Sequence, residues 1–149
     1  MEGQEWLIRA VAAVLCMVLF VLIIRVRRRG KRPDAIDGME GHDFEYFCAE
    51  LLKKRGFQEV AVTKGSGDYG VDILAEKDGI TYAVQCKCHS EAVGIKAVQE
   101  VYAGRDYYDR MVGAVMTNQY FTAPAVNAAE KLKILLWDRG YLDSMMEEE

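Results

Sequence analysis

Apolar positions follow two regimes along this chain. From Trp6 to Val26 they are nearly continuous, broken only by Arg9 and Arg25. At about 1.5 Å per residue, roughly 21 helical residues reach about 31 Å, the thickness of a bilayer's hydrocarbon core, so one transmembrane helix is predicted. From residue 40 onward the apolar positions are spaced instead. Phe44, Phe47, Cys48, Leu51 and Leu52 recur at helical intervals, with Asp43 as a candidate cap and Gly56 as a stop. A short strand over 60–63, a glycine-rich turn over 64–70, a strand over 71–76, a hairpin turn at Lys77-Asp78-Gly79 and a strand over 80–87 come next. Helix 94–108, strand 112–116, helix 122–131 and strand 134–137 complete the pattern, before a polar tail. This order predicts an α/β/α sandwich with a mixed central sheet. The expected organisation is an anchor over 1–33, a linker over 34–39, one domain over 40–142 and an acidic tail over 143–149.

Charge gives the anchor a direction. Of the 19 Lys and Arg and 23 Asp and Glu in 149 residues, the first 33 positions hold seven basic and two acidic, a net of +5 that leaves −9 for the rest. The basic cluster Arg25 to Arg32 follows the apolar run, whereas Glu2 and Glu5 precede it, the reverse of a secretory signal peptide. The positive-inside rule then puts the N-terminus outside and the domain in the cytoplasm, as a single-pass protein of the cell membrane. Four cysteines are too few for a disulfide scaffold and read as thiols. An acidic domain is a poor non-specific polyanion binder, so nucleic acid would have to meet a local basic patch: Lys53, Lys54, Arg55, Lys64, Lys87 and Lys96.

The candidate chemistry sits on the hairpin. Alternation along strand 80–87 points Gln85 and Lys87 to one face and Val84 and Cys86 to the other. Asp72 lies across the hairpin from them. A carboxylate, an amide oxygen, a nearby backbone carbonyl and a lysine suit Mg2+ and a phosphate, because Mg2+ takes oxygen ligands and keeps several waters. Lysine beside a metal-bound water helps orient it and stabilises charge growing on phosphorus. Glu45, on the rim of the first helix beside Cys48, is within reach of the same metal.

Gly41-His-Asp-Phe-Glu45, Leu51-Leu52, Gly56-Phe57, Val62-Thr63, Gly65-Ser-Gly-Asp-Tyr-Gly-Val-Asp72-Ile and Val84-Gln85-Cys-Lys87 together resemble the Mrr-like restriction endonuclease domain of the PD-(D/E)xK nuclease superfamily. The resemblance spans about residues 40–140. It implies a type IV restriction endonuclease that hydrolyses DNA phosphodiester bonds with Mg2+, for which Mn2+ can substitute, and with no small-molecule cofactor. It assigns Asp72, Gln85, Glu45 and the Cys86 carbonyl to the metal, with Lys87 as the catalytic lysine. Gln85 stands where most of the superfamily has Glu or Asp. Gln99, Ser66 and Lys64 are the expected substrate contacts. Cutting both strands needs two sites, so a homodimer is expected, and the anchor makes defence against incoming DNA the natural setting. The alternative is an inactive, membrane-tethered nucleic-acid-binding or sensor module on the same fold.

Three rival readings are weaker. The glycine-rich turn lacks the Gly-Lys-Ser/Thr ending and the following helix of a phosphate loop. Cys86-Lys87-Cys88-His89 lacks the second ligand pair of a structural zinc site. Tyr102, Tyr107, Tyr108, Tyr120 and Phe121 read as packing around the sheet rather than as stacking platforms for bases.

Overall fold

The computed structural model describes residues 14–20, 36–64, 67 and 69–147. The chain divides into two units, Met1–Asp34 and Ala35–Glu149. In the first, residues 14–20 are helical and exposed, and the rest of the expected membrane span lies outside the described residues. Among the described residues no helix is long and apolar enough to cross a membrane.

The second unit is built on a five-stranded sheet in the order β1-β2-β3-β4-β5. The strands are β1 (Gln58–Val62), β2 (Ile73–Lys77), β3 (Ile80–Lys87), β4 (Val112–Thr117) and β5 (Ile134–Trp137), with helices α1 (Gly41–Lys54), α2 (Ile95–Tyr107), α3 (Ala123–Leu132) and α4 (Arg139–Glu147). β1, β2 and β3 form an antiparallel meander, and β3, β4 and β5 run parallel. Parallel neighbours need crossovers, which α2 and α3 supply on one face of the sheet. Val98, Val101, Val115 and Ala129 form the core there, whereas Phe44, Leu52, Ile73, Val84, Met116 and Leu142 form the core under α1 and α4. The mixed α/β sandwich expected from the sequence is present.

Local chemistry explains the element ends. Asp78 and Gly79 both have positive φ and join Lys77 to Ile80 in a two-residue turn, the geometry whose twist matches a hairpin. α1 ends where Gly56, at φ +81°, lets Phe57 N–H donate to the Leu52 carbonyl, a Schellman-type closure. Its start differs from expectation: the cap position is Glu40, with no side-chain bond, and Asp43 lies inside the first turn, where a negative charge still favours the helix dipole.

The domain also reaches further than its expected edges. Ile36, within the expected linker, is buried in the α1 core, and Cys88 Sγ donates to the Ile36 and Met39 carbonyls. The expected tail over 143–149 continues α4, where Met145 and, one turn before it, Leu142 are buried. Two apolar residues one helical turn apart suffice for a docked helix despite the acidic residues around them.

Candidate active site

Asp72 lies one residue before β2, and its N–H donates to the Val84 carbonyl at 2.8 Å. Since Ile73 pairs with Val84, the next ladder step sets Asp72 opposite Gln85. Ile73, Val84 and Cys86 belong to the α1 core, so alternation turns Asp72, Gln85 and Lys87 toward α2. Asp72 Oδ2 accepts from Cys86 N–H at 2.6 Å, which fixes the carboxylate against β3. Asp72 and Gln85 are both buried, at 8% and 4% exposure, and Lys87 is half-buried. The structure thus brings together the three residues read from the hairpin.

The residue that meets them from α2 is one the sequence reading passed over. Lys87 Nζ lies 3.2 Å from Glu100 Oε2, and Lys96 Nζ lies 3.7 Å from Glu100 Oε1. Burial, the largest influence, pushes the Glu100 carboxyl up. The hydrogen bond and charge of Lys87, a hydrogen bond from the Gln85 amide and the charge of Lys96 together outweigh it, and the group is held below its ordinary value. Gln99, the α2 residue singled out from the sequence, is exposed. Helix phase explains the difference: Ala97, Val98, Val101 and Gly104 face the sheet, so position 99 points away and position 100 lies on the rim. A charged residue on the rim of a helix whose apolar face touches β3 was the signal available.

Two glycines set how closely this helix approaches. A Cβ on Gly70 would lie 2.8 Å from Glu100 Cβ, and one on Gly104 would strike the Tyr69 carbonyl and the Val71 side chain. The segment leading into Asp72 therefore presses directly on α2 beside Glu100. Of the expected substrate contacts nearby, Lys64 is exposed and Ser66 lies outside the described residues.

Glu45 is half-buried on the other side of the sheet, its Oε2 3.1 Å from His42 Nδ1. Its charge is felt at Cys86, whose thiol is raised well above its ordinary pKa first by burial, then by Cys48, Asp72 and Glu45. Cys86 and Cys88 are spent on packing, against Cys48 and against the Ile36 and Met39 carbonyls, and among the described residues no group of three His, Cys, Asp or Glu side chains is placed to hold a metal ion. A hard cation needs fewer protein ligands, and here one observation speaks for it: Gln85 Oε1 is buried with no hydrogen-bond partner among the described residues. A buried carbonyl oxygen left bare beside a carboxylate fits a cation of the Mg2+ type, which keeps most of its waters.

Two surface expectations are corrected. The basic patch is split: Lys53, Lys54 and Arg55 sit at the end of α1 away from Glu45, where the Arg55 carbonyl accepts from Lys77. Tyr102, Tyr107 and Tyr120 are exposed rather than packed around the sheet, and Tyr107 stacks on Tyr69 with ring centroids 3.8 Å apart.

Comparison with known proteins agrees with this architecture. The Mrr_cat family model, described as a restriction endonuclease, matches residues 36–146. Among solved structures, the protein of unknown function AF1548 is 23% identical with TM-score 0.64, covering 72% of this chain and 66% of that one. The DNA modification-dependent restriction endonuclease AspBHI is 17% identical with TM-score 0.53, covering 70% of this chain and 30% of that one. The MspJI restriction endonuclease, solved with a 27-mer oligonucleotide, is 18% identical with TM-score 0.50, covering 70% and 27% respectively. This chain thus spans less than a third of either of those two endonucleases, and no curated protein matches it. With a family model matching most of its length, the chain belongs to the Mrr_cat restriction endonuclease family.

Proposed function

We propose that this chain is a divalent-metal-dependent endonuclease that hydrolyses DNA phosphodiester bonds at the Asp72, Gln85 and Lys87 site. The observation that carries the reading is the bare, buried Gln85 Oε1 beside a carboxylate and a lysine on one face of β3. Asp72 and Gln85 Oε1 would hold the cation with the Cys86 carbonyl, and Glu45, on the α1 face of the sheet, would act on it through its charge, as it does at Cys86. Such an ion supplies Lewis-acid polarisation of the scissile phosphate and lowers the pKa of a bound water. Lys87 orients the attacking water and neutralises charge that develops on the phosphate oxygens, the task of a fixed cation in a half-buried site. Asp72 cannot swing away, because Cys86 N–H holds one of its oxygens.

Membrane tethering through residues 6–26 and a cytoplasmic domain belong to the same proposal, supported by the apolar run and the basic residues after it. Alkaline carbonate extraction of cells should leave the chain in the membrane fraction; release into the supernatant would remove the anchor from the proposal. The nuclease itself is tested by incubating the purified full-length chain with plasmid DNA and modified phage DNA, with Mg2+ or Mn2+, beside Asp72→Asn. Metal-dependent cutting that the substitution abolishes is expected. Mn2+ binding without cutting of either DNA would favour the inactive binding module.

A further inference from the structure

We propose that Glu100 is the positioning residue of this site: it holds Lys87 and Gln85 in one arrangement and supplies the carboxylate that allows residue 85 to be an amide. The proposal rests on the nuclease reading above and adds to it a residue on another element. A glutamine side chain has a donor end and an acceptor end of nearly the same shape, so its orientation is set by whichever end finds a partner. Gln85 is turned to the same face as Lys87, and its amide is near enough to help hold the Glu100 carboxyl low, an effect that only its N–H end can have. That leaves Oε1 as the end turned from Glu100, and it is this atom that is buried without a partner. A carboxylate at position 85 could not donate to Glu100. It would stand against it as a like charge, and two carboxylates sharing a site cannot both ionise easily.

Lys87 completes the arrangement. Its ammonium lies 3.2 Å from one Glu100 oxygen while Lys96 approaches the other at 3.7 Å, so the carboxylate is bracketed. The backbone prevents drift, because Glu100 Cβ sits where a side chain on Gly70 would begin. Glu100 thus fixes Lys87 from α2. Gln85 and Glu100 function as a pair containing one amide and one carboxylate, and the pair tolerates exchange better than the loss of either member.

The test is a four-member series in the full-length chain: wild type, Glu100→Gln, Gln85→Glu and the double exchange, read by Mn2+ calorimetry, single-turnover cleavage of plasmid DNA and urea unfolding. Partners that orient metal ligands typically matter by 10- to 100-fold, so each single substitution should lower both Mn2+ affinity and cleavage rate by about tenfold or more. The double exchange should return both to within about threefold of wild type, because one carboxylate and one amide again share the site. Urea midpoints should show all four chains folded, so that the affinity and rate losses are not losses of folded protein. The proposal is overturned if Glu100→Gln stays within about twofold of wild type, or if the double exchange is no better than the worse single one. Should wild type bind Mn2+ without cutting DNA, the nuclease reading fails while the affinity series still decides the role of Glu100: recovery in the double exchange supports it, and four equal affinities overturn it. Absence of both binding and cutting in wild type overturns both.

Discussion

Lys87 and Glu100 form a half-buried ion pair in which each partner limits where the other can go, and this has consequences for chemistry and for pH. Lys87→Ala removes the fixed cation at the phosphate; cleavage should fall at least about 100-fold while Mn2+ binding to Asp72 and Gln85 is retained, as single-turnover kinetics beside calorimetry would show. The Glu100 carboxyl is held below its ordinary value, so the folded state binds its proton less readily than the unfolded chain does. The stability this confers is therefore present above the unfolded pKa, about 4.3, and is lost as pH falls through the folded value. Thermal melts from pH 7 to pH 3 should show wild type above Glu100→Gln near neutrality, with the gap closing below about pH 4.3; a constant gap would mean that the pair adds nothing specific. Asp72, Gln85 and Lys87 were legible in the sequence because strand alternation has a period of two and a two-residue turn fixes the register across it. Glu100 was not. Its position depends on how a helix packs over the sheet, which strand alternation does not reach, and the resemblance singled out the neighbouring, exposed Gln99.

Elements fared according to how local their determinants are. The Asp78-Gly79 turn, the Gly56 stop and the Thr122 cap, whose side chain accepts from Ala125 N–H, are each decided within a few residues. The contact between α2 and the segment before β2 is decided by two glycines 34 positions apart, Gly70 and Gly104, which the pattern of apolar positions does not connect. Gly104→Ala weighs opposing effects. Alanine favours a helix interior by about 1 kcal/mol over glycine, whereas forcing an extra methyl against the Tyr69 carbonyl and Val71 costs about 1–3 kcal/mol. Because the carbonyl belongs to the backbone and cannot rotate aside, the steric cost should win, with net destabilisation by urea unfolding. The relief available is for α2 to move outward, carrying Glu100 away from Lys87, so cleavage should fall as well. A stabilised variant with full activity would show that the close approach is not needed.

Across the whole domain, the two ends of the folded chain are tied to the loops that follow β3 and β4. Asn118, buried at 1% exposure, donates from Nδ2 to Asp37 Oδ1 and the His89 carbonyl and accepts from His89 N–H. Arg139 reaches the same Asp37 oxygen at 2.8 Å and the Asn118 carbonyl at 3.0 Å. The segment before α1, the exit of β3 just beyond Lys87 and the start of α4 thus share one polar network, while Leu142 and Met145 carry α4 into the core beneath it. None of this was legible in the sequence: charged residues make up half of the positions after Trp137, and Tyr141, Leu142, Met145 and Met146 are the apolar ones among them. Leu142 is wholly buried, so Leu142→Ala should cost about 2–5 kcal/mol, a large share of the 5–15 kcal/mol that stabilises an ordinary domain. Ending the chain after Asp138 removes that side chain, Met145 and the Arg139 bonds to Asp37 and to the Asn118 carbonyl together. Circular dichroism should then show loss of a cooperative melt, and Mn2+ binding at Asp72 should disappear with it. A truncated chain that still melts cooperatively and binds Mn2+ would mean that α4 is an ornament on a core able to stand without it.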